Sequence, residues 1–437
     1  MKVCKFGGSS VADAAQIKKV KEIIESDRQR VYVVPSAPGK RYDGDNKVTD
    51  MLYAYHAAVS RGESGDEIFE EIRQRFIEIR DGLGVSTDIE SHLDKIAADV
   101  QAGAGEDYTV SRGEYLNGLL LADYLGFDFI DPAGAIFFNA NGVYESEKTR
   151  TVMRGRLRQS RTAVIPGFYG SMPDGTIKTF SRGGSDITGA IVARAAKADV
   201  YENWTDVPGV MMADPRIVEN PRVISKITYR ELRELSYMGA TVLHEDAIFP
   251  VFKANIPINI KNTNDPDAPG TMIVPNVIDN NTHVITGIAG RKGFTVISVE
   301  KANMNAELGF GRRILSALEK NDIRFEHMPS GIDTLSVVLA NSEINGKEAK
   351  LMDDVYNLCQ PDSLEIYKGL ALIATVGRGM IRNVGVAARL FTALANANVN
   401  IRMIDQGSSE MNIIVGVDEK DFETAIRAIY KAFCDQE

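Results

Sequence analysis

The sequence predicts an α/β protein, with a largely parallel, helix-covered sheet followed by two small α+β modules. Three observations carry this prediction. Short apolar runs alternate with amphipathic stretches over residues 1–262, as expected for a parallel sheet with crossover helices. Residues 261–271 are dense in turn formers, and a linker over 274–284 follows. Beyond it a strand, helix, strand, strand unit occurs twice, at a period of roughly 75 residues, too long for a small-repeat solenoid.

In the first region, 31–34, 127–130, 162–165 and 200–204 are apolar enough for buried strands. Between them, Ile17, Val20 and Ile24 recur at spacings of three and four, which places them on one face of a helix over 12–25. Segments near 47–60, 65–81, 88–101, 112–125, 185–198 and 228–239 read as helices in the same way. The first repeat reads as a strand at 294–299, a helix at 309–320 and strands at 323–328 and 333–340. The second reads as a strand at 370–376, a helix at 384–397 and strands at 400–405 and 411–417. The second unit lacks a final strand after the helix 419–433, which leaves a nested or exchanged arrangement open.

Composition narrows the function classes. With 437 residues, 44% hydrophobic and 25% charged, the chain has material for a sizeable core. A net charge of −10 opposes a nucleic-acid-binding surface. The three cysteines, Cys4, Cys359 and Cys434, are scattered and form no zinc or disulfide pattern. No signal peptide and no apolar stretch long enough for a membrane span can be read, so the cytoplasm is the expected location.

Four segments carry candidate chemistry. Lys5-Phe6-Gly7-Gly8-Ser9-Ser10 follows a strand and opens a helix. Paired glycines let backbone amides approach an anion, and Lys5 can reach a terminal phosphate. The bland reading is a tight turn capped by a serine. A second glycine pair, Arg182-Gly183-Gly184-Ser185-Asp186, adds a guanidinium fork for a carboxylate and an acid able to orient a lysine or hold Mg²⁺ through water. Here the bland reading is Ser185 or Asp186 as a helix N-cap. Two such loops in one domain suggest two anionic ligands facing each other. In Ser111-Arg112-Gly113-Glu114, Glu114 reads first as a helix-start acid balancing the dipole, and second as a partner for a substrate ammonium. The loop Trp204 to Gly209, with Asp214-Pro215-Arg216 behind it, can bind a nucleotide or simply turn the chain. No Walker, GxGxxG, HRD or DFG signature is present.

Together these segments resemble aspartate kinases, a branch of the amino-acid kinase family. The matching pieces are KFGGSSV (5–11), VVPSA (33–37), SRGE (111–114), SRGGSD (181–186), NWTDVPGV (203–210), ADPR (213–216), GATVLHEDA (239–247) and NIPINIKNTNDPDAPGT (255–271). They occur in the family's order. The segment VGVAARLFTALANANVNIRMIDQGSSEMNI (384–413) resembles the ACT modules of the same enzymes. The resemblance implies a three-layer amino-acid kinase domain with a mainly parallel central sheet over 1–275. It also implies two ferredoxin-like ACT domains at 286–365 and 366–437, one of which can be nested in the other.

The resemblance also implies roles. Lys5, Arg182 and Asp186 are the expected catalytic residues. Lys5, Gly7, Gly8 and Ser9 match the loop around the transferred phosphoryl group. Glu114 matches the ligand of the aspartate ammonium, and Arg182 that of its α-carboxylate. Ser36, Thr49 and Phe168 fall where the family lines the reacting carboxylate, and Ser185 and Asp186 close the site. Thr205, Asp206 and Arg216 match nucleotide contacts. Some members carry a phosphate-contacting lysine where this chain has Asn264, and Lys261 is the candidate substitute. The implied reaction transfers the γ-phosphoryl of ATP, with Mg²⁺, to the side-chain carboxylate of L-aspartate. This is the first step toward lysine, threonine and methionine. No protein cage for a metal is expected.

For the regulatory half, Met304, Phe310, Gly311, Glu326 and Ser330 resemble the effector site of lysine-sensitive members, with threonine as the second candidate effector. A homodimer or homotetramer through the ACT domains is expected. The competing readings are a non-catalytic amino-acid sensor, a kinase for glutamate or N-acetylglutamate, and a fusion with homoserine dehydrogenase. The end of the chain at Glu437 and the missing dinucleotide fingerprint oppose the fusion.

Overall fold

The N-terminal run Lys2-Val-Cys-Lys-Phe6 forms the strand β1, with Val3, Cys4 and Phe6 fully buried. The computed structural model describes residues 1–181, 183–240, 245–276 and 284–434, with only the backbone of 245–248. Arg182, the segment 241–244 and most of the expected linker lie outside the described residues.

The chain divides into two units. The first comprises Met1–Val210, Val223–Tyr229 and Val242–Ile278. The second comprises Met211–Arg222, Arg230–Thr241 and Asp279–Glu437. The remaining strands of the first unit are β2 (Arg30–Pro35), β3 (Asp128–Phe129), β4 (Ala163–Val164), β5 (Tyr169–Ser171), β6 (Ile177–Thr179), β7 (Val200–Thr205), β8 (Lys226–Thr228), β9 (Ile258–Asn262) and β10 (Thr271–Val274). Eight strands form one sheet in the order β3-β4-β2-β1-β7-β9-β10-β8. Every neighbouring pair is parallel except β9 and β10. Because β1 lies between β2 and β7, the strand order reverses at β1. The carboxyl ends of these three strands therefore open a crevice, where sheets of this class bind ligands.

The helices of the first unit are α1 (Ala14–Glu25), α2 (Val48–Ser60), α3 (Asp66–Leu83), α4 (Ile89–Gln101), α5 (Glu106–Leu125), α6 (Ser146–Gln159) and α7 (Gly184–Ala196), with α9 (Glu245–Lys253) after α8 (Tyr229–Tyr237), which falls almost wholly in the second unit. From α1, Ile17, Val20, Ile23 and Ile24 join Phe69, Ile72, Phe76 and Ile79 of α3, against Cys4, Phe6, Val33 and Trp204 of the sheet. Each fully buried aliphatic or aromatic side chain contributes about 1.5–3 kcal/mol, so this face anchors β1 and β7 firmly. Two expectations need correction. The helix expected at 112–125 begins at Glu106, six residues earlier, so Glu114 sits inside the helix and does not balance its N-terminal dipole. Helix α6 was not anticipated, because Thr149, Met153 and Leu157 are its only buried residues in an arginine-rich stretch.

The second unit contains β11 (Gly287–Glu300), α10 (Phe310–Lys320), β12 (Thr334–Ala340), α11 (Asn341–Ile344), α12 (Glu348–Cys359), β13 (Ser363–Val376), α13 (Val386–Asn396), β14 (Ile401–Asp405), β15 (Asn412–Asp418) and α14 (Phe422–Cys434). The two repeats share one antiparallel sheet, β12-β11-β13-β15-β14. The first part of β11, Gly287 to Arg291, pairs with Leu372 to Val376 of β13. After a register shift at Arg291/Phe294, its second part pairs with β12 and the first part of β13. Residues ahead of the first repeat thus supply the strand that the second repeat lacks after α14. The strand expected at 323–328 is absent: only isolated bridges, at His327 and Ser330, join that segment to β12. No helix among the described residues is long and apolar enough to cross a membrane.

Candidate active site

The ends of β1, β2 and β7 and the starts of α2 and α7 line a cavity of about 1190 Å³. Its walls contain Lys5, Gly7, Gly8, Ser9, Ser36, Thr49, Glu114, Phe168, Ser185, Asp186, Thr205 and Asp206, so one site gathers these sequence candidates. They come from seven separated stretches of chain.

The glycine turn after β1 is stitched to β7, since the Gly7 amide donates to the Trp204 carbonyl at 2.9 Å. Lys5 lies opposite Asn203 in the β1–β7 register. Its ammonium is nearly buried and lies 2.7 Å from Asp186 Oδ1. The same oxygen accepts a hydrogen bond from Asn203 Nδ2 at 2.9 Å. Asp186 occupies the first turn of α7, whose N-terminal end favours an anion. Neither Ser185 nor Asp186 caps that helix; the N-cap is Gly183, which makes no side-chain cap bond.

Across the cavity, Arg112 and Glu114 leave α5 on different faces, because residues two apart do not align on a helix. Arg112 is buried among the rings of Tyr108, Tyr115 and Tyr169, 4.6–5.0 Å from their centroids. Glu114 points the other way. Gly113 lets α5 approach the loop after β2, where a Cβ would lie 2.8 Å from Ala37 Cβ. Glu114 is 5% exposed. Its Oε1 accepts from Ser185 Oγ at 3.4 Å, and its Oε2 has no hydrogen-bond partner among the described residues. Burial pushes its pKa up to about 7, although the Ala37 amide and Ser185 pull it down. A buried carboxyl in a cavity-lining residue, with one oxygen lacking a partner, is suited to a cationic ligand.

Phe168 lines the same cavity with φ at +84°, a conformation costly for a bulky residue. Its amide donates to Thr188 Oγ1 at 3.0 Å, and its carbonyl accepts from the Phe180 amide at 2.8 Å. The Ser36 amide donates to the Phe6 carbonyl at 3.0 Å, and Asn117 Nδ2 donates to the Ser36 carbonyl at 2.7 Å. Thr205 Oγ1 donates to Asp206 Oδ1 at 3.0 Å.

Other candidates lie elsewhere. Lys261 is not a lining residue; its ammonium sits over the Trp204 ring, 5.2 Å from the centroid, and burial lowers its pKa. Asn264 Oδ1 accepts from Lys19 Nζ at 2.8 Å. Arg216 belongs to the second unit, where its exposed guanidinium holds Asp214 at 2.6 Å. Among the effector candidates, Met304 and Phe310 lie in the apolar core around α10. Gly311 is the second residue of α10, with open space beside it, and Ser330 bridges Leu335. Glu326 pairs with Arg291 at 3.3 Å and accepts from the Tyr237 hydroxyl.

Sequence reasoning missed the lining residues Pro38, Gly39, Lys40, Arg41, Asp43, Lys47, Asp50 and Tyr53. The available signal was a Pro-Gly-Lys-Arg cluster directly after a strand.

The profile of the Amino acid kinase family matches residues 1–262, and that of the ACT domain matches 373–433. Aspartokinase 3 of Bacillus subtilis (strain 168) is 41% identical over 99% of this chain and 98% of its own length. The crystal structure of the Clostridium acetobutylicum aspartate kinase is 55% identical, covers 99% of this chain and 100% of its own, and superposes with a TM-score of 0.91. E. coli aspartokinase III, solved with aspartate and ADP, is 27% identical, with a TM-score of 0.74 and 99% of both chains covered. With its fold, its strand-end cavity and these relatives together, the chain belongs to the amino acid kinase family, in the aspartokinase branch that carries C-terminal ACT domains.

Proposed function

We propose that the chain transfers the γ-phosphoryl group of ATP to the side-chain carboxylate of L-aspartate. The carrying observation is one cavity with a fixed cation at one wall, Lys5 on Asp186, and a buried carboxyl with a vacant oxygen, Glu114, at another. An amino acid that is also a carboxylate acceptor presents the matching charges. E. coli aspartokinase III binds aspartate and ADP, which supports the same pairing of ligands here.

The acceptor is already ionised near neutral pH, so the site needs alignment and charge neutralisation more than a base. Glu114 holds the substrate ammonium, and Ser36, Thr49 and Phe168 border the reacting carboxylate. The Gly7–Gly8 turn presents backbone amides, and Lys5 neutralises charge on the transferred group. Asp186 keeps Lys5 in place, and Thr205 and Asp206 face the nucleotide. Arg182, outside the described residues, remains the proposed ligand of the α-carboxylate. Asp186 and Asp206 both line the cavity and would hold Mg²⁺, mainly through phosphates and water, and the ion would supply further charge neutralisation. Among the described residues no group of three or more His, Cys, Asp and Glu forms a cage for it.

The catalytic domain is proposed to span 1–275, with ACT domains at 286–365 and 366–437 that bind an amino-acid effector and join subunits into a homodimer or homotetramer. Lysine is the first candidate effector, because E. coli aspartokinase III is also known in complex with lysine and aspartate; threonine is the second. The proposed location is the cytoplasm. ADP release from MgATP tests the proposal, with aspartate as acceptor, glutamate as control, and lysine and threonine added separately. Aspartate-dependent turnover is expected. Effector binding without turnover would move the chain to the sensor class.

A further inference from the structure

The loop 38–47 between β2 and α2 lines the cavity, yet the reaction described above does not use it. Gly39 packs onto the glycine turn: its amide donates to the Gly8 carbonyl at 2.9 Å, and a Cβ on Gly39 would lie 2.6 Å from the Gly8 carbonyl carbon. The far end of the loop is pinned as well, by the Val48 amide donating to the Pro38 carbonyl at 3.1 Å.

A buried ion pair braces the middle. Arg75 projects from α3, with its side chain 4% exposed, and meets Asp45, 7% exposed, at 2.8 Å. Its other terminal nitrogen donates to the Gly39 carbonyl at 3.1 Å. Arg41 closes on the same carboxylate at 3.0 Å and reaches Glu78 at 3.2 Å. Hydrogen bonds from Arg41, together with the charge of Arg75, hold the Asp45 carboxyl far below the ordinary range. A charge buried this deeply in a loop suits a fixed conformation, because losing either partner strands the other.

The brace occupies Arg41 and leaves two cations over. Lys40 and Lys47 are exposed and line the cavity, and their ammonium groups make no hydrogen bond or ion pair among the described residues. Lys47 also stands at the N-terminal end of α2, next to the lining residues Thr49 and Asp50. We propose that the Arg75–Asp45–Arg41 brace is a positioning device, holding the loop against the glycine turn so that Lys40 and Lys47 bind an anionic group of the reactants. That group is either the nucleotide polyphosphate or a carboxylate of the acceptor. The inference rests on the kinase reading above.

The test is steady-state kinetics of Lys40→Met, Lys47→Met and the double variant, varying MgATP and aspartate separately at two ionic strengths. Both lysines are exposed, so the variants keep the wild-type thermal midpoint. The double variant raises one KM by about tenfold or more, as loss of charged contacts does, and flattens its salt dependence. The KM that moves identifies the anion. Asp45→Asn raises the same KM, even if it also lowers the thermal midpoint. If both KM values of the double variant stay within twofold of wild type, the two lysines have no such role and the proposal fails. Wild-type protein without any aspartate-dependent turnover would instead overturn the kinase reading.

Discussion

The two walls of the cavity handle charge in opposite ways. Lys5 is nearly buried but paired, 2.7 Å from Asp186, which Asn203 also holds. Glu114 is just as buried, yet one of its oxygens has no partner among the described residues, and burial moves its pKa up to about 7. One wall is therefore complete without ligand, whereas the other awaits a cation. A preorganised cation stabilises charge that develops during reaction. An unpaired buried acid is destabilising until a ligand arrives, so in the proposed reaction Glu114 would convert binding into selectivity for an ammonium group.

The largest expected effect comes from breaking the complete wall. Lys5→Met should lower kcat about 10²–10³-fold, as removal of one charge-stabilising donor does, with little change in the KM for aspartate. Asp186 keeps its bond from Asn203 in that variant, so folding is retained. Near-normal turnover by purified Lys5→Met would take Lys5 out of the mechanism.

Next in size is the waiting wall. Glu114→Gln should cut kcat/KM for aspartate by about 10–100-fold, the range of a charge-assisted hydrogen bond, while making the ligand-free protein more stable at pH 8. The sign follows from the raised pKa. In the folded protein Glu114 binds its proton more tightly than in the unfolded chain, so stability falls as pH rises from 4.5 to about 7. That displacement corresponds to about 3 kcal/mol at most above pH 8, and Gln removes the cost. A thermal melt at pH 8 showing Glu114→Gln less stable than wild type would contradict this account.

The same titration gives a smaller effect on the unmodified enzyme. Below about pH 7 Glu114 is protonated in the free protein, so the KM for aspartate should rise by up to roughly tenfold per pH unit. The Glu114→Gln profile should be flat over that range; an identical slope in both proteins would assign the titration to another group.

Smallest is the effect at Glu326, a carboxylate already held by Arg291 and Tyr237. A lysine ε-ammonium must compete with Arg291 there. If lysine is the effector, its coupling to aspartate binding should lie within about 1–3 kcal/mol, and Glu326→Gln should weaken it only a few-fold. Inhibition curves with and without the substitution measure this. Unchanged kinetics and an unchanged thermal transition at saturating lysine would remove lysine as the effector.

Much of the site was legible because its residues sit at strand ends, where short glycine-rich phrases stand out from apolar runs. Lys5 lies near the end of β1, Gly7 and Gly8 follow it, and Thr205 and Asp206 end or follow β7. Read from its neighbours, Glu114 was only the second choice as an ammonium partner, and the family resemblance raised it to the first. Its local context suggested a helix start, but the helix begins at Glu106 and only tertiary packing buries the carboxyl. The loop 38–47 was missed for a related reason. Its brace joins Asp45 to Arg75, thirty residues away on helix α3, and no local pattern encodes that pair.

The second unit shows the same division. Periodicity located α10 and α13, because each buries one face and the pattern of apolar residues records it, and β15 stood out as a continuous apolar run buried on both faces. It did not locate the strand at 323–328 correctly, since apolar alternation cannot say whether a neighbour offers a paired edge. Nor did it show that Gly287 to Arg291 closes the second repeat. The sequence by itself determined the alternation of strands and helices, the two glycine turns and the repeat, since each is written in neighbouring residues. Tertiary structure alone decided that Lys5 meets Asp186, that Glu114 stays buried with a vacant oxygen, and that the repeats share one sheet. Those outcomes depend on contacts between residues far apart in the chain, whose energies arise only once the core has packed.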